Sequence, residues 1–100
     1  MSGFADLRAR FAGRAGAGTK RGFGRDSLTV GGRIFALPDG DSLVLKLPAP
    51  LVDALVESGT GVPWDAHRGR ALREWVALGP GTAARWPELA EEAWRAGGGA

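Results

Sequence analysis

The chain has 100 residues, 44% of them hydrophobic and 24% charged, with no cysteine and a formal net charge of +2. That length supports one hydrophobic core in a non-membrane globular protein, and the missing thiols exclude disulfides, thiolate nucleophiles and zinc–thiolate sites. No apolar run reaches the roughly 20 residues of a bilayer span, and Asp6, Arg8 and Arg10 interrupt the first eleven residues where a secretory signal would be continuous, so a cytoplasmic protein is expected.

Phe4, Leu7 and Phe11 recur at helical spacing, with Ser2 placed to cap and Asp6 in the first turn. Gly13 to Gly24 holds five glycines in twelve residues, a composition that disfavours a helix and reads as a flexible connection. From Ser27 the period becomes two. Leu28–Val30, the turn Gly31-Gly32, Arg33–Leu37, the turn Pro38-Asp39-Gly40-Asp41 and the alternation of Leu43, Leu45 and Leu47 predict a three-stranded antiparallel meander. Pro48 and Pro50 end it and open a helix whose stripe is Leu51, Val52, Leu55 and Val56, stopped at Gly59. Residues 61–70 are polar and irregular, with Trp64 expected in a short strand. Leu72–Leu78 predicts a strand with Trp75 and Val76 on opposite faces. A last helix opens at Pro87 with the stripe Trp86, Leu89, Ala90, Ala93 and Trp94, and Glu91 stands four residues before Arg95 as an ion-pair candidate. Residues 96–100 are expected to fray. The fold class is therefore α+β over 1–100: a two-layer sandwich, an antiparallel sheet of four to five strands packed by helices, preceded by a helix and a Gly/Arg-rich segment over 1–26.

Lys20-Arg21-Gly22-Phe23-Gly24, Gly32-Arg33-Ile34-Phe35-Ala36, Ser42-Leu43-Val44-Leu45-Lys46-Leu47, Pro63-Trp64-Asp65, Gly69-Arg70, Arg73-Glu74-Trp75-Val76 and the closing Trp86 helix together resemble the amino-terminal domain of TfoX/Sxy-type proteins and their MmcQ/YjbR relatives. The likeness runs over residues 19–95, and Gly22 stands where that family usually has a bulky residue before its Phe. The resemblance implies a YjbR-like bacterial domain without chemistry of its own, associated with regulation and with DNA binding.

Charge is segregated. Residues 1–25 carry six basic residues against the single acid Asp6. Arg14, Lys20, Arg21, Arg25, Arg33 and Lys46, with Phe23 available to stack on a base, are the candidate nucleic-acid surface, because flexible cations beside a sheet can neutralise several phosphates. Trp64 with Arg68, Arg70 and Arg73 is the candidate groove for a partner or ligand. Three other patterns fall short of chemistry. Gly13 to Thr19-Lys20 inverts the Lys-Ser/Thr order of a phosphate loop. Ser58, Asp65 and the only histidine, His67, have no spacing that assembles a nucleophile, its base and an oxyanion site, and one histidine with scattered carboxylates is a poor metal site. Asp39 and Asp41 read as turn acids. The expectation is a non-enzymatic binding or regulatory domain, with no cofactor and no membrane role, that contacts nucleic acid or a regulatory protein through its basic front. The alternative is a protein- or small-ligand-binding module in which that front is incidental.

Overall fold

The structure is a computed structural model and describes residues 3–65 and 72–100. In chain order it has α1 (Phe4–Phe11), β1 (Ala17–Gly22), β2 (Arg25–Val30), β3 (Arg33–Asp39), β4 (Ser42–Lys46), α2 (Ala49–Glu57), β5 (Val62–Pro63), β6 (Trp75–Leu78), a 3-10 segment over Pro80–Arg85 and α3 (Trp86–Ala96). The strands make one sheet of order β1-β2-β3-β4-β6-β5, antiparallel at every step. This is the expected α+β sandwich with more strands than the four or five predicted.

The extra strand is β1, which occupies the middle of the glycine-rich segment expected to be a connection. Its pairing with β2 runs without interruption from Ala17↔Val30 to Gly22↔Arg25. Tertiary pairing overrides the poor strand propensity of glycine here. The turn that permits it is Phe23-Gly24, with φ of 53° and 75°, the left-handed pair that a two-residue hairpin requires. Phe23 is the only non-glycine residue with positive φ among the described residues, a conformation that costs on the order of 1–2 kcal/mol for an L-residue. Its ring compensates by packing edge-on against Trp64 at 5.2 Å and Trp75 at 5.7 Å. A Cβ on Gly22 would lie 2.2 Å from Ile34 Cδ1, so the bulky residue usual in the TfoX/Sxy pattern would require Ile34 to move.

All three helices cover one face of the sheet. Leu7 and Phe11 of α1, Val52 and Leu55 of α2, and Trp86, Leu89, Ala90, Ala93 and Trp94 of α3 bury against Leu28, Val30, Phe35, Leu43, Leu45, Val76 and Leu78. The other face carries a smaller core of Leu37, Val44, Trp64 and Ala77, edged by Phe23, Ile34, Leu72 and Trp75. Because β4 is central and covered on both sides, Leu43, Val44 and Leu45 are all fully buried, which accounts for the unbroken apolar run where a half-exposed strand would alternate. Trp75 and Val76 face opposite sides, as their period predicts.

The ends of the helices depart from expectation in two places. Gly3 stands at the N-cap of α1 with no side-chain hydrogen bond, while the predicted cap, Ser2, lies outside the described residues. The tail, expected to fray, is folded back over α3. Gly97, Gly98 and Gly99 donate to the carbonyls of Ala93, Arg95 and Trp94, and Trp94 Nε1 donates to the Ala100 carbonyl at 3.1 Å. The glycines are needed for this return over the indole, since a Cβ on Gly99 would sit 2.2 Å from Trp94 Nε1.

Candidate functional site: a cationic sheet edge

The basic residues that the sequence groups into one surface are divided by the fold into four settings. Arg14 belongs to the helical layer. Its guanidinium donates to both oxygens of Glu91, at 2.9 and 2.6 Å, and lies 4.4 Å from the centre of the Phe11 ring. Arg10 adds a third bond to the same carboxylate at 2.7 Å. The hydrogen bonds from Arg14, foremost, and from Arg10 hold Glu91 down at about 2 against burial, and Arg14 is raised by the same pairing. Arg14 is therefore a clamp between α1 and α3 rather than a cation offered to a partner. The Glu91–Arg95 pair expected from the spacing is not formed: Glu91 is taken by Arg10 and Arg14, and Arg95 bonds Glu92.

This clamp carries a pH prediction. A folded value near 2 against an ordinary 4.5 means that the unfolded chain binds the extra proton between those limits, so the stabilisation is complete above about pH 4.5 and is lost as pH falls towards 2. The Glu91 side chain is 18% exposed. Allowing for the screening this admits, the contribution is on the order of 2 kcal/mol. Urea denaturation from pH 6 down to pH 2 should show wild type and Glu91→Gln converging at the acid end; a constant gap across that range would refute the assignment.

Arg25 and Phe23, the second setting, are equally structural. Arg25 Nη1 donates to the Phe23 carbonyl at 2.7 Å and Nη2 to Asp39 Oδ1 at 2.8 Å, while Asp39 Oδ2 accepts from Trp64 Nε1 at 2.9 Å. The carboxylate read from sequence as a turn acid thus ties the β1–β2 turn to Trp64 across the second face of the sheet. Trp64 is 4% exposed, which corrects its place as a groove residue: it is core. Phe23, packed on Trp64 and Trp75, is likewise a core-edge residue rather than a stacking platform for a base. Arg68 and Arg70, the other members of that groove, and His67 lie outside the described residues; Arg73 is exposed. Ser58 donates to the Leu55 carbonyl at the end of α2.

In the third setting, Arg33 and Lys46 line a cleft of about 130 Å³ with Glu74 and the last turns of α3. A carboxylate and the negative end of a helix dipole counter the two cations there, so the cleft has little net pull on an anion.

The fourth setting is β1. Thr19, Lys20 and Arg21 are exposed, and β1 ends the sheet, so among the described residues no strand pairs with its outer side. Lys20 Nζ makes one long contact, 3.4 Å, to the Gly32 carbonyl, and Arg21 holds Asp26 at 3.3 Å and the Gly24 carbonyl at 3.1 Å with 70% of its side chain in water. Arg8 stands exposed on α1 beside the groove that separates α1 from β1. An exposed pair such as Arg21–Asp26 is worth at most about 1 kcal/mol, and a stronger anion can displace it. Comparison with family models, with curated proteins and with solved structures found no match for this chain. The cationic edge therefore stands on its own chemistry. Among the described residues no group of three His, Cys, Asp or Glu side chains converges on a metal-sized site, and no helix is long and apolar enough to cross a membrane.

Proposed function

We propose that the chain is a non-enzymatic binding and regulatory module that engages an anionic macromolecule through the outer strand β1. The observation that carries this reading is the division just described: Arg14 and Arg25 are spent on Glu91 and Asp39, while Lys20 and Arg21 stay in water on an open sheet edge with Arg8 nearby. Cations held on a rigid strand lose less conformational freedom on binding than cations on a loose arm would. The half-buried polar side chains around the core have structural partners: Asp39 serves Arg25 and Trp64, Glu91 serves Arg10 and Arg14, and Thr82 bonds Gly79 and Trp86. The likeness to TfoX/Sxy amino-terminal domains supports a bacterial cytosolic regulator.

Nucleic acid and an acidic segment of a regulatory protein are the two partner classes of this chemistry, and one titration distinguishes them. Duplex DNA, single-stranded DNA and polyglutamate should be added to wild type and to Lys20→Ala with Arg21→Ala at two salt concentrations. At least one polyanion should bind at low salt, with affinity falling steeply as salt rises and a shallower slope in the double variant. Equal binding by both proteins, or no binding of any polyanion at low salt, would refute the proposal.

A further inference from the structure

The cations say what charge the edge attracts; the backbone of β1 says what shape. Resting on the anion-binding reading above, we propose that the outer edge of β1 takes up an extended acidic segment of a partner polypeptide as a seventh strand of the sheet.

A two-residue turn is closed by a hydrogen-bonded pair, here Gly22↔Arg25, and bonded and non-bonded pairs alternate along an antiparallel ladder. Gly22, Lys20 and Gly18 therefore direct their N–H and C=O groups into β2, and Arg21, Thr19 and Ala17 direct theirs outward. The two ends of the strand agree with this phase: Gly16 accepts from Gly31 on the inner side, and Ala17 N–H is taken by the Arg14 carbonyl on the outer side. Thr19 and Arg21 thus present two donors and two acceptors at the spacing an added strand requires. The opposite edge of the sheet offers no equivalent, because β5 is two residues long and one of them is Pro63.

Three considerations select an acidic polypeptide. A phosphodiester backbone offers acceptors only and would leave the Thr19 and Arg21 carbonyls unmatched, whereas a strand supplies both partners. A second copy of this chain is disfavoured, since antiparallel pairing of β1 with itself brings Lys20 and Arg21 of both copies onto one seam, and like charges brought close together across a pair destabilise it. A partner strand with Asp or Glu opposite Lys20, on the face away from the helices, turns the same contact into attraction. The helix-facing side of the edge also opens onto the groove of about 250 Å³ between α1 and β1, floored by Phe11, Leu28 and Phe35, which suits aliphatic side chains alternating with the acids.

The probe is a ten-residue peptide of alternating valine and glutamate, added to the full ¹⁵N-labelled chain while amide exchange is followed residue by residue. At saturation the Thr19 and Arg21 amides should slow by about tenfold or more, and the same peptide N-methylated at every second residue, which keeps its charge, should bind at least about tenfold more weakly. Thr19→Pro should weaken the unmodified peptide by a similar factor, because it removes an outward donor without breaking the ladder to β2. If the peptide binds but neither amide is protected, or if the N-methylated peptide binds equally well, strand addition is wrong and the anion-binding reading survives. DNA binding without peptide binding has the same consequence. Failure of this peptide, polyglutamate and DNA alike would remove both.

Discussion

Trp94→Ala is expected to destabilise the fold by about 4 kcal/mol, the largest effect of any substitution considered for this chain. The indole is 1% exposed and stands where three parts of the molecule meet. It stacks on Phe11 of α1 at 5.4 Å and meets Phe35 of β3 edge-on at 5.6 Å. Its Nε1–H is satisfied by the Ala100 carbonyl, which fastens the glycine tail back over the ring, and the Arg14 guanidinium lies 5.4 Å from its centre. Removal would leave a cavity between α1, α3 and the sheet, loosen the tail and weaken the support of the Arg14–Glu91 clamp. Urea denaturation followed by far-ultraviolet circular dichroism checks this. The midpoint should fall sharply at an unchanged slope, and a loss below about 1.5 kcal/mol would mean that the site collapses to fill the space.

Asp39→Ala is expected to cost about 2–3 kcal/mol, more than truncating an exposed turn acid would. Arg25 and Asp39 are each only 25% exposed, and the Trp64 indole depends on the same carboxylate. The variant leaves a guanidinium and a buried N–H short of an acceptor at once, and an uncompensated partner is what makes the loss of a half-buried pair costly. Asp39→Asn keeps one acceptor and should recover part of the loss. Thermal unfolding of the three proteins, with Phe23→Ala alongside, would separate the contribution of the turn from that of the network. Equal stability of Asp39→Ala and wild type would show that water replaces the carboxylate without penalty.

Much of the fold was legible because period and turn chemistry agreed. Gly31-Gly32 and the turn at Gly40 mark their hairpins, Gly59 takes the left-handed conformation expected of a helix stop, and the stripes of α2 and α3 bury the residues their spacing selects. β1 was not legible, because its glycines contradict strand propensity and its turn puts Phe23 where Asn or Gly is usual. The only signal available was the spacing of Gly22 and Arg25 around a residue followed by glycine, which is weak without the partner strand. The return of residues 97–99 over Trp94 was hidden for a similar reason: glycine reads as disorder until a large side chain gives it something to cover.

The candidate site was legible as charge but not as geometry. Six cations and one acid in the first quarter of the chain identify a basic front. Which of them are spent depends on Glu91 and Asp39, which are 77 residues from Arg14 and 14 from Arg25. Sequence spacing shows pairs such as Glu91 and Arg95 because they are local, and a local exposed pair is worth too little to prevail over a bidentate contact between helices. Trp64 was misplaced for a related reason. A polar, irregular neighbourhood suggests exposure, yet the indole is drawn inward by the apolar side chains of the second sheet face and by an acceptor supplied from β3.

On the proposed reading β1, and no other cationic feature among the described residues, is where an anionic partner lands. Titrating polyglutamate into the ¹⁵N-labelled chain and mapping the amide shifts tests it most directly. The largest changes are expected on residues 17–22 and beside Arg8, with little at Arg14, Arg25 or the cleft of Arg33 and Lys46. Shifts concentrated at that cleft or at the 72–75 segment, with β1 unmoved, would contradict it.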